Sequence, residues 1–171
     1  PICLAGWVLF AGSDAEVRLV AQNREELSTV YRLTTPDWSV ARIGYDKHLT
    51  YSHAEAAGLD HPGSFNPRDR AEVAALACRF PVVLKPAARE RSNAFTMAKG
   101  WKANDRDELM ALYDRAAALV GHDGIVLQEF IPGDGRNQYS YAAVWSSGRP
   151  VASLVARRMR QYPIEFGFTS T

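Results

Sequence analysis

The residues best suited to chemistry sit at the ends of two short apolar runs. Phe80-Pro-Val-Val-Leu-Lys85-Pro86 closes on one lysine held at a rigid turn, and Ile125-Val-Leu-Gln-Glu129-Phe-Ile-Pro-Gly133 closes on Gln-Glu and a Pro-Gly turn. A lysine placed where a buried strand leaves the core projects a compact point charge, which suits phosphate oxygens. The competing reading is a lysine that snorkels at a strand end. Gln128 to Ile131 offers an apolar slot with a backbone donor and acceptor, which is what an adenine ring requires. The competing reading leaves Glu129 facing solvent. Between the two runs, the loop from Pro86 to Ala94 carries Ser92 and Asn93, and its backbone N–H groups are available to anions. It contains no glycine, and in isolation the reading as a solvated surface loop is slightly favoured.

A basic cluster, Arg157, Arg158 and Arg160, ends the last apolar stretch. Guanidinium groups suit carboxylate or phosphate; the alternative is charge guarding an edge strand. Strand alternation puts Arg158 and Arg160 on one face and Arg157 on the other. His48, His53, His61 and His122 show neither zinc spacing nor a nucleophile partner. The chain has no Walker-type motif and no G-x-G-x-x-G, which argues against P-loop and Rossmann nucleotide binding.

The elements that must position these residues follow from periodicity and punctuation. Gly6 to Phe10 reads as a strand, and Ser13-Asp-Ala-Glu16 as a capping box opening a helix through about Ser28. Val30 to Leu33 reads as a second strand, with a break near residues 34 to 44. Asp46-Lys47 opens a helix that ends near Gly58. Asn66 with Pro67 starts another, and Pro81 to Lys85 is a strand. Thr96 to Lys102 reads as a further strand. Asn104 opens a helix that Gly121 ends, and Ile125 to Phe130 is a strand. Tyr139 to Trp145 and Val151 to Arg157 form a hairpin. Helices and strands mixed in this order indicate α/β (α+β) architecture with more than one sheet.

Composition bounds the rest. With 171 residues, 47% apolar, 23% charged and a net charge of +1, the chain is an ordinary globular domain or two small ones. Its scattered basic residues give no nucleic-acid footprint. No apolar run is long enough to span a membrane. Cys3 and Cys78 read as reduced, which with the missing leader points to a cytoplasmic protein. The start at Pro1 and the open end at Thr171 read as a fragment of a longer protein.

The ordered set resembles the ATP-grasp superfamily. It comprises Asp46-Lys47 opening a helix, Gly58-Leu-Asp-His-Pro62, Phe80 to Pro86, a polar loop, a helix with Asp107-Glu-Leu109, and Val126 to Gly133. The resemblance runs from about Ile43 to the end. Arg157-Arg-Met-Arg-Gln-Tyr-Pro163 with Phe166-Gly167 looks like a branch described as carbamoyl-phosphate-synthase-like or as carboxylate–amine ligases. The resemblance implies a truncated ATP-grasp-like fold over residues 41–171, preceded by the tail of a Rossmann-like pre-ATP-grasp domain over 1–40. It implies an ATP-dependent ligase that joins a small carboxylate to an amine or thiol through an acylphosphate. Lys47 and Lys85 would hold ATP phosphates, and Ser92 and Asn93 would belong to a lid. Gln128, Glu129 and Ile131 would form the adenine hinge, with Asp134 or Gln138 at the ribose. Arg157 or Arg158 would orient the acyl phosphate. Magnesium is implied too, with its ligands beyond Thr171, so this chain alone is expected to be inactive. The alternative is a non-catalytic nucleotide-sensing or protein-interaction module of the same fold. Open sheet edges also allow a homo-oligomer.

Overall fold

A computed structural model describes residues 4–88, 92–133, 137–162 and 168–170. The chain begins with β1 (Val8–Leu9), α1 (Asp14–Gln22), α2 (Arg24–Ser28) and β2 (Arg32–Leu33), the two strands pairing in parallel. Helices α3 (Trp38–Tyr45) and α4 (Lys47–Ala56) lead to the central unit. That unit contains β3 (Ser64–Phe65), α5 (Arg70–Ala75), β4 (Val82–Pro86), α6 (Ala94–Ala98), β5 (Trp101–Ala103), α7 (Arg106–Val120) and β6 (Ile125–Glu129). Its four strands form an antiparallel sheet in the order β3-β6-β4-β5. A hairpin of β7 (Tyr139–Ser146) and β8 (Arg149–Arg157) follows, then a short antiparallel pair, β9 (Arg160–Tyr162) and β10 (Phe168–Ser170).

Alternation decides what each face of the central sheet does. Val82 and Leu84 of β4 and Ile125 and Leu127 of β6 point to one side. There they join Val73, Phe95, Leu109, Tyr113 and Ala116 in one buried cluster. The register pairs Val83 with Gln128 and Lys85 with Val126, so these four share the opposite face. Both β4 flanks are hydrogen-bonded, to β5 and to β6, so β4 is an inner strand of the sheet, as β6 is.

Arg106 ties this core to the chain leaving α5. Its guanidinium donates to the carbonyls of Val73 at 2.8 Å and Leu76 at 2.6 Å, and it stacks over Phe80 at 5.4 Å. Those carbonyls lie at the helix C-terminus; Val73 also accepts the Leu76 N–H at 3.3 Å, whereas carbonyls past the last turn have no intrahelical donor. Arg106→Ala is expected to cost about 1.5–3 kcal/mol, the range for hydrogen bonds to a charged group. Urea unfolding followed by far-UV circular dichroism measures it, and Arg106→Lys should recover only part because lysine has no planar fork.

Several elements depart from the sequence reading. The helix expected from Ser13 to Ser28 is broken at Asn23, whose side chain donates to the Leu19 carbonyl at 2.8 Å and competes with the helical ladder. Within the expected break at 34–44, Trp38–Tyr45 is helical. The Arg18 guanidinium lies 6.0 Å from both the Trp38 and Tyr45 rings, so α1 supplies a contact that local sequence does not reveal. Asn66 and Pro67 do not start α5; Asp69 does, its carboxylate accepting the Glu72 N–H at 2.8 Å. Likewise Asp105, not Asn104, caps α7. The strand expected over Thr96–Lys102 is instead α6, a left-handed turn at Lys99 (φ 64°) and the three residues of β5. A capping box holds that helix: the Asn93 side chain accepts from Thr96 N–H, and the Thr96 hydroxyl accepts from Asn93 N–H. The hairpin, α4, β4 and β6 fall where periodicity placed them.

The hairpin carries Tyr139, Tyr141, Val144, Trp145, Val151, Leu154 and Val155, each more than half exposed. Cys78 is a free thiol, and Cys3 lies outside the described residues. No helix among the described residues is long and apolar enough to cross a membrane.

Candidate active site

Lys85 is the unusual group. It leaves β4 on the face away from the main core, and burial lowers its pKa below the ordinary 10.5. Desolvation is the cause; no carboxylate among the described residues offsets it. Charges this withdrawn from water are ordinarily paired, because an uncompensated one costs several kcal/mol. Lys85 is therefore a partly buried cation whose charge no described carboxylate offsets.

Helix α4 brings the second lysine to the same strand end. Asp46 caps it by accepting the His48 N–H at 2.8 Å. The Lys47 N–H and ammonium both point at the Ala87 carbonyl, at 3.2 and 3.4 Å, two residues past Lys85. One turn on, Tyr51 accepts a hydrogen bond from the Gln128 amide at 2.6 Å and stacks on His61 with centroids 5.6 Å apart. His48 reaches the Asp123 carbonyl at 3.2 Å. Thus α4 is fastened to both β4 and β6 on the Lys85 face. A cavity of about 540 Å³ opens at this end of the sheet, lined by Asp46, His48, Ala87, Asn93, Thr96 and Asp123 among others.

The other residues singled out in the sequence take varied places. The Gln128 side chain is buried and spent on Tyr51, so it serves packing between β6 and α4. Glu129 pairs with Gly63: its N–H donates to the Gly63 carbonyl at 2.8 Å, and its carboxylate accepts the Gly63 N–H at 3.2 Å. Ile131 is exposed just past the strand end. Ser92 is exposed, whereas the Asn93 side chain faces α6 as its cap. Asp134 lies outside the described residues. Gln138, Ser140 and Arg158 form a second cluster at the open end of the hairpin. Arg158 donates to Gln138 Oε1 at 3.2 Å and to Ser140 Oγ at 3.4 Å, and Arg157 points instead at the Met159 sulfur. Arg158 and Arg160 do not share a continuous strand face, because the strand breaks at residues 158 and 159. Among the described residues no group of three or more His, Cys, Asp or Glu is placed to hold a metal ion.

The sequence reading assigns no role to Tyr51 or Gly63, and it weighs His61 only for zinc spacing and a nucleophile partner. Tyr51 had a usable signal: four residues after Lys47 on a helix, it must share that residue's face. His61 and Gly63 had none, since a loop sets their position.

Comparison with solved structures places this architecture. The chain superposes on D-alanine–D-alanine ligase from Helicobacter pylori with a TM-score of 0.61 at 20% identity, covering 88% of this chain and 45% of that one. It matches a RimK domain ATP-grasp protein from Sphaerobacter thermophilus with a TM-score of 0.58 at 15% identity, over 97% and 76% of the two chains. D-alanine–D-alanine ligase from Bacillus anthracis, complexed with ATP, gives 0.51 at 17% identity over 88% and 53%. In sequence, a D-aspartate ligase from Enterococcus faecium is 27% identical over 139 residues, 77% of this chain and 33% of that protein. No family model matches the chain. The chain therefore has an ATP-grasp-like fold. It spans about a third of the curated relative and less than half of the Helicobacter ligase.

Proposed function

We propose that this chain is the ATP-binding part of an ATP-dependent carboxylate–amine ligase. The observation that carries the reading is Lys85, a desolvated ammonium without a carboxylate partner among the described residues, on the sheet face that α4 clamps. Lys47 reaches the carbonyl of Ala87, two residues past Lys85, and Ala87 is among the residues lining the cavity, although neither lysine is. The named relatives, ligases for D-alanine and D-aspartate, support the reaction class.

In this reading Lys85 and Lys47 neutralise phosphate oxygens, while Ser92 and the backbone around Asn93 close over them. Backbone groups of Glu129 and Ile131 contact the adenine; the Glu129 carbonyl and the exposed Ile131 are the groups offered, since the Glu129 N–H is taken by Gly63. Asp134 or Gln138 meets the ribose. A substrate carboxylate oxygen attacks the γ-phosphorus and ADP leaves, which forms an acylphosphate. An amine nitrogen then attacks the acyl carbon, loses its proton and expels inorganic phosphate. Positioning and electrostatics do most of this work. Arg157 or Arg158 orients the acyl phosphate. Among the described residues no cluster of three or more His, Cys, Asp or Glu side chains is placed to hold magnesium.

Calorimetric titration of the chain with ATP tests the reading. Saturable heat that Lys85→Met removes is the expected result. A folded wild-type chain with no ATP heat overturns it.

A further inference from the structure

We infer that Gly100 is a positioning residue for the Lys85 ammonium; the inference rests on the nucleotide reading above. Gly100 is buried, between the left-handed turn at Lys99 and the first residue of β5. A β-carbon there would lie 3.1 Å from Val83 Cγ1, 3.3 Å from the Leu84 carbonyl oxygen and 3.5 Å from Lys85 Cγ. Three consecutive residues of β4 therefore touch the space that this glycine leaves empty.

None of the three yields cheaply. The Leu84 carbonyl belongs to a strand hydrogen-bonded on both sides. Val83 is almost fully buried, and its branched side chain is stiff at χ1. The Lys85 stem is the soft member, and it is also the one that carries charge. The Gly100 backbone thus packs against the Lys85 stem at its Cγ. The same glycine follows α6 and the left-handed turn at Lys99, so the C-terminal end of α6 is held beside Lys85. A methyl group at Gly100 would rest in ordinary contact on the Lys85 stem, but it would force Val83 Cγ1 or the Leu84 carbonyl to give by a few tenths of an ångström, and a shift of that β4 backbone carries the lysine with it.

Only four lysines occur in the chain, Lys47, Lys85, Lys99 and Lys102, so 13Cε-labelled lysine gives a readable NMR spectrum, with Lys85 assigned by its absence in Lys85→Met. In folded Gly100→Ala, the Lys85 Cε resonance and its titration midpoint are expected to shift, and ATP affinity to fall about tenfold or more, in line with the cost of a misplaced group. Gly44→Ala, where an added β-carbon meets no atom within 4 Å, should change neither. An unmoved Lys85 resonance in folded Gly100→Ala overturns the proposal. So does a wild-type Lys85 Cε as mobile as a freely solvated lysine, a measurement that needs no variant. If the resonance moves but wild-type chain never binds ATP, the positioning role is supported and the nucleotide reading falls.

Discussion

Lys85→Met is expected to weaken ATP binding by about tenfold to a hundredfold and, at the same time, to raise the melting temperature. The first effect is the loss of a charge-assisted contact, about 1.5–3 kcal/mol. The second follows from burial. A buried lysine with a lowered pKa opposes folding while it is charged, and methionine fills much the same volume without the charge. A purely structural lysine would lose stability on this change. The opposite signs are therefore diagnostic, and thermal melts beside ATP titrations measure them. A variant that melts lower and binds ATP normally would remove Lys85 from the site.

The same group sets a pH dependence. Above its lowered pKa and below the ordinary 10.5, folded Lys85 has released a proton that the unfolded chain still holds. Stability contributed by this group therefore rises with pH across that window, and is lowest where both states are protonated. ATP binding runs the other way, failing as the ammonium deprotonates. Lys85→Met should flatten both slopes.

Phe95→Ala is expected to cost about 3–5 kcal/mol, the range for emptying a buried aromatic site. Phe95 is fully buried, with its ring 4.7 Å from that of Trp101. It is the main anchor of a five-residue helix, a length too short to persist unaided. Asn93 and Thr96 of the same turn line the cavity. The substitution should therefore lower the urea midpoint strongly and weaken ATP binding beyond what partial unfolding explains. Phe95→Leu, which keeps most of the volume, should recover most of the stability. A cost below about 1 kcal/mol would mean that the Asn93–Thr96 capping box, not the ring, holds the segment.

Certain features were legible because they depend on near neighbours in the chain. The alternating run Val82 to Lys85, the apolar stripe of α7 with its Gly121 stop, and the cap at Asp46 each carry their own signal. So does the order in which they occur, which identified the ATP-grasp fold. Elements that lean on distant partners were misread. Helix α3 packs against α1, whose Arg18 lies 6.0 Å from the Trp38 and Tyr45 rings, and α6 sends Phe95 into the core cluster; neither contact is visible in a local window.

The site divides in the same way. That a lysine ends β4 and a Gln-Glu pair ends β6 is written in the sequence. Whether that lysine is solvated or desolvated, and paired or unpaired, depends on which side chains cover its face. The tertiary structure decides that Gln128 is spent on Tyr51 and Arg158 on Gln138 and Ser140, and that Gly100 walls the Lys85 stem. Periodicity fixes the direction in which a side chain leaves its strand. Only the packing of α4 and the 99–101 segment against that strand fixes the dielectric and partners it meets, and with them its chemistry.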